Sequence, residues 1–325
     1  MINFYCKDEK IFKIDENLKT ISESVVWFDL LSPDESEISN IESYFEIELP
    51  SIEEMHEIES SSRFYKKDNA VFMTATIITN SETDTPQSSS ITFILKENKL
   101  ITLRYDTPKS FSMFIEKHTK KSSRYLINGE KALLGLIESF IDRLSDVLEW
   151  INRDIESLSL STFQSDNEKK LRTDGLQKSL FKIGKLGDLN GKVRETLMSL
   201  SKLLRFFSIS IPRDANKKNK IIDQIYKLTK DVSSLADHGN FLSNKITFLL
   251  DATLGLISIE QNSIIKIFSV AAVIFLPPTL IASIYGMNFS NMPELSTKYG
   301  YPIAIIAMIF SSIIPYLYFK SKKWL

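Results

Sequence analysis

With 325 residues, 43% of them hydrophobic and 25% charged, the chain is long enough for one or two soluble domains and a membrane part. A net charge of −1 gives no reason to expect nucleic-acid binding, and a single cysteine, Cys6, excludes an internal disulfide and suits a cytosolic soluble part. The charge is unevenly spread: none falls between Ile267 and Pro293, and none between Tyr299 and Phe319.

The first ten residues hold no apolar stretch of signal-peptide length, so the N-terminal part is expected to stay in the cytoplasm. Residues 1 to about 125 read as a mixed α/β domain. Val25–Leu31 is a short apolar run, a strand closed by Ser32-Pro33, and Ser32-Pro33-Asp34-Glu35 opens a helix with proline and acids in its first turn. Ala70–Ile78 is a β-branched, apolar strand. Ile91–Leu95 and Leu100–Tyr105 flank Lys96-Glu97-Asn98-Lys99 as a hairpin, and the polar stretch Asn80–Ser90, with Pro86, reads as a loop.

From Lys131 the period changes. Leu133, Ile137, Phe140, Leu144, Val147, Ile151, Ile155 and Leu158 step by three or four, one apolar stripe along a long helix. Ser161–Asn167 is a polar break, a second helix runs from about Glu168 to Phe207, and Ile211-Pro212 with Asn216–Asn219 is a turn. A third stripe, Ile221, Ile225, Leu228, Val232, Leu235, Leu242, Ile246 and Leu249, starts a helix in which no proline occurs until Pro277. The spacing predicts one nearly continuous helix from about 220 to 285, at 1.5 Å per residue about 100 Å long, which needs partners along its side.

Ile264–Tyr285 carries one charge, Lys266, near its start, and Tyr301–Phe319 carries none. About 20 apolar residues cross a bilayer core, so both are predicted transmembrane helices. The tail Lys320-Ser321-Lys322-Lys323-Trp324-Leu325 holds three lysines, whereas the connection Gly286–Gly300 holds Lys298 beside Glu294. The positive-inside bias then puts both termini in the cytoplasm and the connection outside, with Tyr285, Tyr299, Tyr301 and Tyr316 near the interfaces. Pro277-Pro278 removes two N–H donors in mid-span and is expected to bend or loosen the helix, which lipid tolerates where protein or a water-filled path satisfies the freed carbonyls. The whole reads as an α/β domain (1–125), a long-helix stalk (126–262), a first membrane helix (263–286), an outer loop (287–300), a second membrane helix (301–320) and a basic tail (321–325).

The connection begins Tyr285-Gly286-Met287-Asn288-Phe289 and continues to Met292-Pro293-Glu294-Leu295. Set between two C-terminal spans and followed by a lysine-rich tail, this resembles the Gly-Met-Asn signature of the CorA family of magnesium transporters. Ile259–Ser269 and Phe275-Leu276-Pro277-Pro278-Thr279-Leu280 look like that family's membrane entry and mid-span, and Trp27-Phe28-Asp29-Leu30 is compatible with its N-terminal domain. The resemblance implies a funnel-shaped homopentamer in the plasma (inner) membrane with a central pore lined by the first membrane helix. It assigns the selectivity filter to Gly286, Met287 and Asn288, with Asn288 as the outer ring. Asn262, Leu276, Thr279 and Ser283 would line the pore, with Ile265, Phe268 and Leu276 at hydrophobic constrictions.

The residues agree with that expectation. Two spans cannot enclose a channel, so a conducting form must be an oligomer. Positions 262, 265, 269, 272, 276, 279, 283 and 286 step by three or four and hold Asn, Ile, Ser, Ala, Leu, Thr, Ser and Gly, a face without carboxylates. Amide, hydroxyl and carbonyl oxygens suit Mg²⁺, which sheds its water reluctantly and must leave again. A divalent ion gains about 4.6 kcal/mol across 100 mV, so uptake needs no ATP, and the chain has no P-loop. Asn288 also has a plainer reading, since Gly-x-Asn is common at helix C-termini, and Glu294 is either a solvated loop charge or a cation attractor.

A downhill path needs a shutter, and intracellular Mg²⁺ is the expected one. Candidate regulatory ligands are Asp231 and Asp237 on the stalk, facing Glu82 or Asp84, because crowded carboxylates repel unless a cation bridges them. His56, His118 and His238 are scattered, with no Cys/His metal cluster and no nucleophile elbow, so neither an enzyme nor a resident cofactor is expected. The expected partners are the bilayer, divalent cations and further copies of the chain. The alternatives are Co²⁺, Ni²⁺ or Zn²⁺ transport by the same architecture, or a membrane-anchored scaffold or sensor, against which Pro277-Pro278 and the polar helix face argue.

Overall fold

The computed structural model describes residues 1–6, 11–13, 25–83, 85–119, 125–163, 172–211, 218–288, 292–293 and 297–322. In chain order the elements are β1 (Ile2–Cys6), β2 (Ile11–Lys13), β3 (Val25–Leu31), α1 (Glu35–Phe45), α2 (Ile52–His56), α3 (Ser60–Arg63), β4 (Phe64–Lys67), β5 (Ala70–Thr79), β6 (Gln87–Lys96), β7 (Lys99–Arg104), α4 (Lys109–Thr119), α5 (Gly129–Phe163), α6 (Arg172–Ser210), α7 (Lys218–Tyr285) and α8 (Gly300–Ser321). They fall into two compact units, Met1–Ser165 with Phe181–Leu249, and Asp166–Leu180 with Leu250–Leu325.

The first unit is built on a seven-stranded sheet of order β2-β1-β3-β7-β6-β5-β4, in which only β3 and β7 run parallel. β3 and β5 form where the apolar, β-branched runs predict them. The hairpin between β6 and β7 turns on Glu97 and Asn98, both with positive φ (51° and 67°), as a tight two-residue hairpin demands. The expected Asn80–Ser90 loop is shorter: Gln87–Ser90 are strand residues, paired with Thr79–Thr76 of β5. Polar side chains hid this extension, because a ladder is held by backbone groups whatever the side chains are. Ser32-Pro33-Asp34-Glu35 does open a helix: Asp34 accepts from the Glu37 N–H and the Glu37 carboxylate returns to the Asp34 N–H, a full capping box.

Alternation along β3 sends neighbouring aromatic residues to opposite faces. Phe28 packs edge-on against Phe4 and Phe45 in the core beneath α1 and α2. Trp27 meets Phe111 and Phe114 of α4, and Phe140 of α5 contacts Phe111 and Phe93. On the Trp27 face sits a buried polar network. Arg104 grips Asp29 through two parallel bonds of 2.8 and 2.7 Å, Thr102 donates to the same carboxylate at 2.8 Å, and the Trp27 indole N–H donates to Thr102 at 3.0 Å. Asp29 is completely buried, and the Arg104 guanidinium also lies 4.3 Å from the centre of the Phe111 ring. A buried carboxylate is tolerable only because its oxygens are matched by this fork and the hydroxyl.

The open half of the sheet edge is closed by a helix. β4 pairs with β5 only from Ala70 to Met73, which leaves later N–H groups of β5 facing outwards. The Thr76 N–H donates to Ser199 Oγ at 2.8 Å and the Ile78 N–H to Thr196 Oγ1 at 3.0 Å, both on α6. Side-chain hydroxyls thus stand in for a missing strand and remove an exposed edge.

The long helices follow the stripes. All eight predicted positions of α5, from Leu133 to Leu158, are buried. On α7 the stripe from Ile221 to Leu249 is buried except Leu235, which is half-buried. Gly239 does more than weaken its helix: Asn190 of α6 donates to its carbonyl at 3.0 Å, and a Cβ there would lie 3.0 Å from Arg194 Cγ, so glycine permits a close crossing. Ser161–Phe163, the first residues of the predicted break, are helical; of the predicted turn Ile211–Asn219, Lys218 and Asn219 already belong to α7, and residues 164–171 and 212–217 lie outside the described residues.

In the second unit, α7 stays helical through Pro277 and Pro278, so the diproline does not interrupt it. α8 continues two residues beyond the predicted Phe319, and both helices are long and apolar enough to cross a membrane.

Replacing Arg104 by Leu leaves Asp29 buried and unpaired. Urea unfolding of the whole chain in detergent, followed by tryptophan fluorescence with Trp150 and Trp324 replaced by Phe so that Trp27 alone reports, should show a loss of about 3–5 kcal/mol. Adding Asp29→Leu should restore a substantial part of it; equal losses in single and double variants would mean the pair is not the source.

Candidate functional site

From Asn262 to Tyr285, α7 has one covered face and one exposed face. Val270 is buried, and Ala271, Ile274, Pro277, Pro278, Ile281 and Tyr285 are half-buried, a covered stripe along one side of the helix. The sequence-predicted pore positions Asn262, Ile265, Phe268, Leu276, Thr279, Ser283 and Gly286 are all exposed in the single chain. At 100° per residue their face is centred about 180° from the covered stripe. Leu276 is 65% and Phe268 72% exposed, large apolar surfaces that one chain leaves uncovered. α8 likewise has one covered stripe, through Ala304, Met308, Ser311 and Pro315.

The polar groups on the exposed face are neutral. Thr279 donates its hydroxyl proton to the Phe275 carbonyl, four residues back, at 2.7 Å. Its oxygen keeps lone pairs for an incoming donor, such as water around a cation. The helix ends on Tyr285: the Gly286 N–H reaches the Ala282 carbonyl at 3.0 Å and the Met287 N–H the Ile284 carbonyl at 3.2 Å. Gly286 does not take a positive φ; a Cβ there would lie 3.2 Å from the Ala282 carbonyl oxygen, so the glycine answers a close approach rather than a left-handed turn. Asn288 is exposed just beyond the end of α7. Glu294 lies outside the described residues.

The candidate regulatory acids are spread over the first unit. Asp231 is half-exposed and Asp237 exposed on α7, and Asp84 lies outside the described residues. Glu82 sits in the turn after β5, where Lys109 of α4 pairs with it at 2.5 Å and Arg143 of α5 at 2.9 Å. The Lys109 hydrogen bond, then the Arg143 charge, hold its carboxyl below the usual carboxylate range, so Glu82 is ionised at neutral pH and its pairing weakens only as pH falls through that lowered value. A cation at Glu82 would compete with two bases that no local signal in the sequence announces. Beside it, Ser81, Glu82, Arg143, Asp146, Val147, Trp150 and Arg153 line a cleft of about 400 Å³. Among the described residues no group of three or more His, Cys, Asp or Glu side chains is placed to hold a metal.

A sequence model of the CorA-like Mg²⁺ transporter proteins matches residues 22–322. The chain is 35% identical over 327 residues to the magnesium transport protein CorA of Pasteurella multocida, covering all of both proteins. It is 36% identical over 304 residues to that of Escherichia coli K12, covering 93% of this chain and 92% of the relative. Its fold aligns with the complete structure of the CorA magnesium transporter from Methanocaldococcus jannaschii with a TM-score of 0.76 and 20% identity, over 100% and 99% of the two chains. An N-terminal α/β sheet domain, a stalk of long helices and two apolar C-terminal helices, matched along nearly their whole length by such relatives, place this chain in the CorA-like Mg²⁺ transporter family.

Proposed function

We propose that this protein carries Mg²⁺ through a cell's inner (plasma) membrane, down the electrochemical gradient, along a pore made by several copies of α7. The observation that carries the reading is the uncovered, carboxylate-free face of α7 that ends at Gly286-Met287-Asn288, opposite the face its own chain covers. The relatives' printed function, magnesium transport, supports the choice of ion. Five copies is the number the family resemblance implies, with both termini in the cytoplasm. The chemistry is transport rather than catalysis, with Mg²⁺ as cargo and no resident cofactor.

In this reading Asn288 forms a ring of amide oxygens at the outer mouth, where hydrated Mg²⁺ is held through its waters. Partial negative charge from the carbonyls that end α7 adds attraction there. Thr279, Ser283 and Asn262 offer further neutral oxygens along the path, and Ile265, Phe268 and Leu276 form the apolar constrictions. Neutral ligands bind weakly enough for the ion to leave. Glu294 would draw cations to the mouth. Intracellular Mg²⁺ would close the pore by bridging Asp231 and Asp237 of one copy to Glu82 or Asp84 of the next; bridging at Glu82 requires the cation to displace Lys109 or Arg143.

Three results test this. Reconstituted Asn288→Ala protein, correctly assembled, should lose selective Mg²⁺ flux, whereas wild-type rate and selectivity would show that the outer ring is not the filter. Alanine at Asp231, Asp237, Glu82 and Asp84 should raise the intracellular Mg²⁺ needed for half-inhibition of current, and an unchanged dose response would exclude them. Single cysteines at Leu276, Thr279 and Ser283 should react with a small water-soluble thiol reagent in the assembled protein while one at Val270 does not; the native Cys6 is buried and gives a quiet background. Equal reactivity at all four would place the aqueous path elsewhere.

A further inference from the structure

We propose that α6 bends between Gly184 and Gly191, and that this bend is a step in opening the Mg²⁺ path. The second half of the proposal rests on the transport reading. Gly184, Gly187 and Gly191 follow one another at intervals of three and four along one helix, and none takes a positive φ. Packing does not ask for them. A Cβ at Gly184 or Gly191 would meet nothing within 4 Å, and one at Gly187 would make an ordinary contact of 3.7 Å with Ile246 Cγ2. The glycines of α5 behave differently: a Cβ at Gly135 would lie 2.6 Å from the Phe114 ring, and one at Gly129 would strike the Lys99 backbone. α5 uses glycine for close approach, whereas α6 carries glycines where alanine would fit. Each makes the helix about fivefold easier to open than alanine would.

The contact with α7 is weakest at the same level. Asn190 is 1% exposed and donates its amide hydrogens to the Gly239 carbonyl at 3.0 Å and to Ser243 Oγ at 3.3 Å, while its Oδ1 has no hydrogen-bond partner. Turning the amide over would set Oδ1 against the Gly239 carbonyl, so neither orientation satisfies both ends. Ser243 Oγ also accepts from Arg194 at 3.2 Å, and this polar knot interrupts the buried apolar seam that Leu186, Leu189 and Val193 make on α6. An unfilled buried acceptor raises the energy of the continuous helix, and bending lets water reach it. The chain's two compact units also divide on these helices, after Leu180 of α6 and after Leu249 of α7, so the bend lies close in sequence to the passage from one to the other. A segment that breaks two stabilising rules at one level, with no packing gain in return, is the mark of a part that moves.

The test follows amide hydrogen exchange on the full chain in detergent, and Mg²⁺ flux after reconstitution. In the wild type, the amides of 184–191 should exchange faster than those of 197–204 on the same helix, after correction for intrinsic rates. Each of Gly184→Ala, Gly187→Ala and Gly191→Ala should slow exchange in the segment about fivefold and lower flux by the same factor, and the triple variant should do both by about a hundredfold. Ser201→Ala, an exposed helix-stabilising change outside the segment, should leave flux as it is. Uniform exchange along α6 in the wild type would overturn the bend. Slowed exchange with undiminished flux in the triple variant, or an equal loss of flux from Ser201→Ala, would overturn its part in opening. The wild type alone separates the two readings: fast local exchange without flux keeps the bend and refutes transport, whereas flux with uniform exchange refutes the bend alone.

Discussion

The demand that governs this molecule is made on one helix, α7, whose surroundings change along its length. From Ile221 to Leu249 its apolar stripe is buried among α5 and α6, with polar contacts from Asn190 to the Gly239 carbonyl and from Lys245 to Glu156. Beyond Ile264 the helix has almost no charge and its outward face is itself apolar or neutral. Water would penalise that exposed surface and lipid or a neighbouring copy would not. A helix also satisfies its own backbone, the requirement for any segment in hydrocarbon, except where Pro277 and Pro278, inside α7, give no N–H to the carbonyls four residues before them.

The proposed function rests on which face is left over. One chain covers the side of α7 that carries Val270 and Ile274 and leaves bare the side that carries Asn262, Leu276, Thr279 and Ser283. A bare face with neutral oxygens suits an ion that keeps its water, because full charges would hold a divalent cation too tightly to release it. The soluble unit meets the opposite problem. Its deepest charge, Asp29, is completely buried and survives through Arg104 and Thr102, while Glu82 near the surface is shared by Lys109 and Arg143.

How much of this could be read in advance depended on the range of each interaction. The stripes of α5 and α7, the two apolar spans, β3, β5 and the Glu97-Asn98 hairpin are periodic or local signals, and the structure has them where the residues predict. The Gly286-Met287-Asn288 signature and its place between two spans pointed to the family directly. What stayed hidden involves partners distant in sequence. Asp29 in Trp27-Phe28-Asp29-Leu30 gives no sign that Arg104 will meet it, nor do Thr196 and Ser199 announce that they will cap the bare edge of β5. Gln87–Ser90 looked like loop because their polar side chains mask a pairing dictated by β5. Glu82 reads as a candidate cation ligand, with no sign that Lys109 and Arg143 reach it through the fold.

The central claim is that a membrane potential alone drives Mg²⁺ through this protein. The direct measurement uses purified chain in sealed liposomes containing a Mg²⁺-sensitive dye, with a potassium diffusion potential imposed across the bilayer and no nucleotide present. The account predicts Mg²⁺ entry that rises as the interior is made more negative and stops when the potential is collapsed. Entry indifferent to potential, or none from protein that is folded and inserted, would contradict it.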